Sequence, residues 1–204
     1  VPASLAGFSP NTVGPHRRFR AHARTAFGRE VGSQTLADLR MLYQAAVTQV
    51  DASIGRLLET LSATGHDDDT AVIVAGDHGE EFQEHGHLAH YPKLYDELVH
   101  VPLLFDHPDA SGRRVQKPVG LADVAPTVCD AMGTSQPLFE GRSRLPAVFG
   151  EGEAADPAPV VSVAVRGESV TQQPIPRSLA DGDLIVSART AEWTYIRETG
   201  TGVE

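Results

Sequence analysis

AVIVAGDHGEEFQEHGHLAH, residues 71–90, is the stretch from which the fold is read. Its first six residues are a continuous apolar run rich in β-branched side chains and too short for a helix. Such runs suit a strand covered on both faces of a parallel sheet. Gly76 ends the run, and the polar chemistry begins at once with Asp77, His78, Glu80, Glu81, Glu84, His85, His87 and His90. Four of the chain's nine histidines and four carboxylates fall within residues 76–90. In open α/β sheets ligand sites form beyond the carboxyl ends of the strands. Position therefore favours an active site more strongly than composition alone would.

Working outward, DDDT (67–70) is a turn, and before it the apolar residues Leu36, Leu39, Tyr43, Val47, Val50, Ile54, Leu57 and Leu61 recur at three- and four-residue steps. This spacing predicts an amphipathic helix over 35–63, with TLAD (35–38) as a capping box at its start and Gly65 at its end. After the His-rich stretch, HVPLLF (100–105) reads as a second buried strand. VGLADVAPTVCDAMG (119–133) reads as a helix capped by Asp123, with Pro126 in its first turn and Gly133 after its end. VVSVAVR (160–166), DLIVSAR (183–189) and WTYIR (193–197) lack intervening helices and predict an antiparallel sheet. The expected organisation is an irregular connection over 1–33, an α/β core over 34–150 and a small antiparallel segment over 151–204. The core would be a mostly parallel sheet flanked by helices, with the long helix on one face.

The chain has 204 residues, 41% of them hydrophobic and 22% charged, with a net charge of −10. That charge argues against nucleic acid or an anionic membrane as partner. No apolar run approaches the ~20 residues of a membrane span. The opening VPASLAGFSPNTVGPHRRFR has no apolar region of the kind a signal peptide needs, and a start at Val suggests a trimmed chain. Localisation is left open, with the cytoplasm as the default expectation. The one cysteine, Cys129, excludes an intrachain disulfide and reads as an inert core thiol.

Asp77 and His78 offer a carboxylate oxygen and an imidazole nitrogen, which suit Ca, Mg, Mn or Zn. Neighbours on a regular strand point to opposite faces, so both reach one ion only if the chain bends there, and Gly79 supplies freedom for that bend. The plainer alternative is an Asp cap beside a surface His. His85, His87 and His90 could bind an oxyanion or protonate a leaving group, and spacing alone does not say which does. Glu80 either orients His78 from behind or is simply solvated.

Six segments, in order, resemble the sulfatase family of the alkaline phosphatase superfamily. They are YQAAVTQVDASIGRLLETL (43–61), DDTAVIVAGDHGEEFQEHG (68–86), HYPKLYDELVHVPLLF (90–105), LADVAPTVCDAMG (121–133), FEGRSRLPAVFG (139–150) and SARTAEWTYIR (187–197). The resemblance implies an alkaline-phosphatase-like α/β fold. It also implies that Asp77 and His78 are metal ligands. His90, twelve residues after His78, matches a His or Lys that contacts the sulfate or phosphate oxygens, although Tyr91 stands where the family often has Gly. His85 and His87 have no firm family role and are candidates for lining the substrate pocket. Lys93 reads as a surface residue, and Asp123 and Thr127 as a structural helix cap. The implied cofactor is a divalent ion, calcium first, with manganese, magnesium and zinc also compatible.

The family's nucleophile lies in a Cys/Ser-x-Pro-x-Arg motif, and further metal carboxylates come from an Asp-Asp pair nearer the N-terminus. The first motif is not in this chain, residues 1–33 contain no Asp, and Cys129 is followed by Asp130, Ala131 and Met132. The expected function is therefore that of a C-terminal part of a metal-dependent sulfuric ester hydrolase, inactive alone and acting on sulfate esters within a longer protein. Exposed core surface would favour self-association. One alternative keeps the fold and changes the ester, to a phosphomonoesterase, phosphodiesterase or phosphoethanolamine-type transferase. Another is a non-catalytic binding domain.

Overall fold

A computed structural model describes residues 31–90, 93–134, 138–151, 158–166 and 183–199. The irregular stretch expected before residue 31, Tyr91, and the terminal turn over 200–204 lie outside the described residues. Two compact units form: residues up to 69 with 80–91, and residues 70–79 with those from 92 onward.

In the first unit, α1 spans Ser33–Ala63 and is followed in the chain by a small hairpin of β2 (Glu81–Phe82) and β3 (Leu88–Ala89). The strands pair antiparallel, Glu81 with Ala89 and Phe82 with Leu88. Leu39, Phe82 and Leu88 are buried against one another, with Leu36 and Ala89 packed beside them. The ring of Tyr43 meets Phe82 edge to face at 5.4 Å. Burial of α1 is confined to its first turns. Its apolar stripe is exposed further along, at Met41, Tyr43, Val47, Val50 and Leu57. Periodicity marks which face of the helix is apolar but carries no information on what covers it. The capping box also fails to form. The helix starts at Ser33 with no side-chain cap. Asp38 is instead buried and accepts a bond from Gln34 Nε2 at 3.1 Å.

In the second unit, β1 (Val72–Ala75) pairs antiparallel with β4 (Leu103–Asp106), from Val72 opposite Asp106 to Ala75 opposite Leu103. Every strand pairing among the described residues is antiparallel, so the mostly parallel sheet read from the apolar runs is not found in them. Parallel pairing needs a crossover, usually a substantial helix. In the second unit the segment between β1 and β4 supplies just α2 (Asp96–Val99), a single turn. A short apolar run fits the half-buried strand of an antiparallel pair equally well, and β4 alternates between half-buried and exposed residues.

A 3₁₀ turn over Leu121–Asp123 leads into α3 (Val124–Ala131), and α4 covers Leu145–Phe149. The Asp123 side chain does not cap α3. Its carboxylate accepts bonds from the Gly120 and Arg142 amides and from Arg144 Nε, the last at 2.8 Å. Thr127 donates to the Asp123 carbonyl and accepts from the Arg144 amide. The two residues therefore brace a loop, a structural role different in detail from a cap. Finally β5 (Val160–Arg166), β6 (Asp183–Arg189) and β7 (Thr194–Glu198) form an antiparallel sheet in the order β5-β6-β7, at the positions the sequence indicates. Ile185 and Ser187 on β6 are buried.

No helix among the described residues is long and apolar enough to cross a membrane.

Candidate functional site

The second unit holds Asp77 and His78 just past the end of β1. Gly76 donates its amide to Pro102 O at 3.0 Å, extending the β1–β4 pairing by one step before the chain leaves it. Gly79 then donates to Leu98 O at 2.8 Å. A Cβ on Gly79 would stand 1.9 Å from the carbonyl oxygen of Glu97. Glycine is required here by the close approach of two backbones; Gly79 is not among the positive-φ glycines.

This turn sets the geometry of the Asp-His pair. Asp77 Oδ1 accepts the His78 amide at 3.0 Å. His78 Nδ1 lies 3.0 Å from Gly79 O. A carbonyl can only accept, so Nδ1 carries the proton of the neutral ring and Nε2 carries the lone pair. His78 Nε2 and Asp77 Oδ2 are 3.7 Å apart, on side chains that are 46% and 92% exposed. Two ligands bound at ~2.0–2.4 Å to one ion sit at about this separation. The donor types, their spacing and the backbone-fixed tautomer all fit a divalent cation.

The first unit holds His85, His87 and His90 on and around the β2–β3 hairpin. Glu81 on β2 is fully buried. Its Oε1 accepts the amides of His85 and His87, at 2.9 and 3.0 Å. Its Oε2 is buried without a hydrogen-bond partner. Gln83 N donates to His87 O at 2.7 Å, and Gly86, at φ 80°, completes the turn. Glu84 is bound on both oxygens, by Arg40 Nη2 at 2.7 Å and by the Phe82 amide. Arg40 also lies over the Phe82 ring, 5.6 Å from its centroid. Burial would raise the Glu84 carboxyl, but the backbone amides of Glu84 and Phe82, together with Arg40, hold it below its usual range.

His90 follows β3 and places Nδ1 3.1 Å from Glu80 Oε2; the two side chains are 29% and 10% exposed. His85 is exposed and His87 half-buried. The structure thus joins Asp77 to His78, and His90 to Glu80, while His85 and His87 are drawn together through their amides on Glu81. Glu81 was missed from sequence as an organising residue. The hairpin signal, apolar Phe82 and Leu88 flanking a turn with Gly86, could have pointed to it. Lys93, read as a surface residue, forms a largely buried ion pair with Glu198 at 2.9 Å.

The family model "Sulfatase" matches residues 10–134. Arylsulfatase K of Danio rerio is 32% identical over 117 residues, which cover 56% of this chain and 22% of that protein. A choline-sulfatase of Rhizobium meliloti is 30% identical over 125 residues, covering 59% of this chain and 24% of that protein. The solved phosphonate monoester hydrolase of Silicibacter pomeroyi superposes with a TM-score of 0.66 at 26% identity, over 86% of this chain and 37% of that one. The chain therefore matches about a quarter of the length of these curated relatives.

Proposed function

The chain belongs to the sulfatase family, and on that premise we propose that it is the C-terminal part of a metal-dependent sulfuric ester hydrolase. Sulfatases usually bind a divalent metal, and in this reading Asp77 and His78 are its ligands here. The observation that carries the proposal is the 3.7 Å spacing of Asp77 Oδ2 and His78 Nε2, with Nδ1 turned to the Gly79 carbonyl. A divalent ion at this position supplies positive charge to the ester oxygens as they gain negative charge. In the same reading His90 is the imidazole that meets the sulfate oxygens, and His85 and His87 are further candidates for substrate contact. Calcium is the first candidate, and the donor set also admits manganese, magnesium and zinc.

The chain contains no Cys/Ser-x-Pro-x-Arg sequence, so the nucleophile and the other metal carboxylates come from elsewhere in a longer protein. Titration of the chain and of Asp77→Asn with calcium, manganese and zinc tests the ligand assignment. Binding should be weak in the chain, with a Kd of about 10⁻⁴ M or higher given so few protein ligands, and weaker still in the variant. Equal binding by both would remove Asp77 from the site.

The similarity to a phosphonate monoester hydrolase supports a second reading in which the same site acts on a phosphorus ester. Assaying the native gene product with 4-nitrophenyl sulfate and with phenyl phosphonate monoesters separates the two readings by their kcat/KM ratio.

A further inference from the structure

We propose that Glu80 is a positioning residue that sets the tautomer and the rotation of the His90 imidazole. The proposal rests on the reading of His90 as the group that meets the ester. The hairpin register brings the two together. Glu81 pairs with Ala89, so one step further out position 80 stands opposite position 90, where facing side chains meet. Ala89 itself takes a left-handed backbone, φ 73°, immediately before His90. Glu80 is half-buried, with its side chain 10% exposed, and its Oε2 lies 3.1 Å from His90 Nδ1. A carboxylate only accepts, so Nδ1 bears the hydrogen.

Which ring nitrogen of a histidine is protonated is set by the bond the other one makes. Holding Nδ1–H on Glu80 assigns Nε2, on the opposite edge of the ring, to the ester. It also stops the ring from turning about its χ2 bond. Sequence alone left Glu80 between orienting His78 and simple solvation; the bond the structure shows is to His90 instead.

The first test is made on this chain. Long-range ¹H–¹⁵N correlation of the imidazoles, at a pH where His90 is neutral, should show the Nδ1–H tautomer in the native chain and the Nε2–H tautomer in Glu80→Ala. Should the alanine variant unfold, Glu80→Gln is the second choice, and a mixture of tautomers is expected because an amide can donate or accept. A native His90 already protonated on Nε2, or a tautomer unmoved in the variants, overturns the proposal. Metal affinity should be the same in Glu80→Ala as in the native chain; a loss like that of Asp77→Asn would make Glu80 a ligand and also overturn it.

The second test uses the native gene product and 4-nitrophenyl sulfate. Glu80→Ala should lower kcat about 10- to 100-fold, and should cost nothing further when added to His90→Ala. Multiplying effects would show that Glu80 acts independently of His90 and overturn the proposal. Full activity in His90→Ala would instead overturn the role of His90 in the ester site, whatever tautomer Glu80 imposes on it.

Discussion

At the scale of single residues, two glycines in this region do different work. Gly79 abuts the Glu97 carbonyl, 1.9 Å from where a Cβ would stand. Gly86 has φ 80° and open space around it. Gly86→Ala should therefore cost about 1–2 kcal/mol, the strain of an L-residue in the left-handed region, and leave metal affinity intact. Gly79→Ala must push two backbones apart, so it should destabilise more and weaken metal binding as well. Urea unfolding and metal titration of both variants check this; equal metal binding in the two would refute the role given to the Gly79 turn. The sequence announced a special residue at 79 from its place after Asp-His, but could not distinguish bending from close approach, since the Glu97 carbonyl is distant in the chain. Glu84 has a pH signature. Its folded carboxyl lies below the usual 4.5, so its contribution to stability is fully present above about that pH. That contribution is lost as pH falls through the lower folded value. Glu84→Gln should flatten the loss of stability as pH falls below about 4.5 and leave the pH dependence near neutrality unchanged. A native-like slope in the variant would assign the acid sensitivity to another group.

At the scale of elements, the long helix shows what periodicity can and cannot predict. Its limits, 35–63 from sequence against Ser33–Ala63 in the structure, followed from apolar spacing alone. What packs on it did not, because packing depends on partners that no local pattern names. Leu39 is fully buried against Phe82 and Leu88, whereas Val50 is 58% exposed. Leu39→Ala should cost about 2–4 kcal/mol, and Val50→Ala at most about 0.5 kcal/mol. Chemical denaturation of the isolated chain measures both. A large loss at Val50 would mean that the exposed stripe is covered in solution. The final three-strand sheet was legible because hydrophobic runs without intervening helices leave antiparallel pairing as the simple solution. The β1–β4 pair was misread because a four-residue apolar strand has no feature that fixes the direction of its neighbour.

At the scale of the whole molecule, the proposed chemistry is incomplete in this chain. Asp77 and His78 are the proposed cation ligands and His90 is the proposed oxyanion contact, and the Cys/Ser-x-Pro-x-Arg sequence is not in the chain. Covalent catalysis accelerates by splitting a difficult step into two easier ones, and in the proposed reading a chain without that sequence forgoes this gain however well it binds the ester. The chain alone should therefore show no turnover of 4-nitrophenyl sulfate above buffer, with or without added calcium or manganese. An immunoblot of the source cells with antibody against this chain should show a band well above its 21.8 kDa, and that longer protein should carry the activity, which Asp77→Asn abolishes. Turnover by the chain alone would place a nucleophile among its own residues. A native band at the chain's own mass would instead require the missing half of the site to come from a partner subunit, or the role to be binding alone.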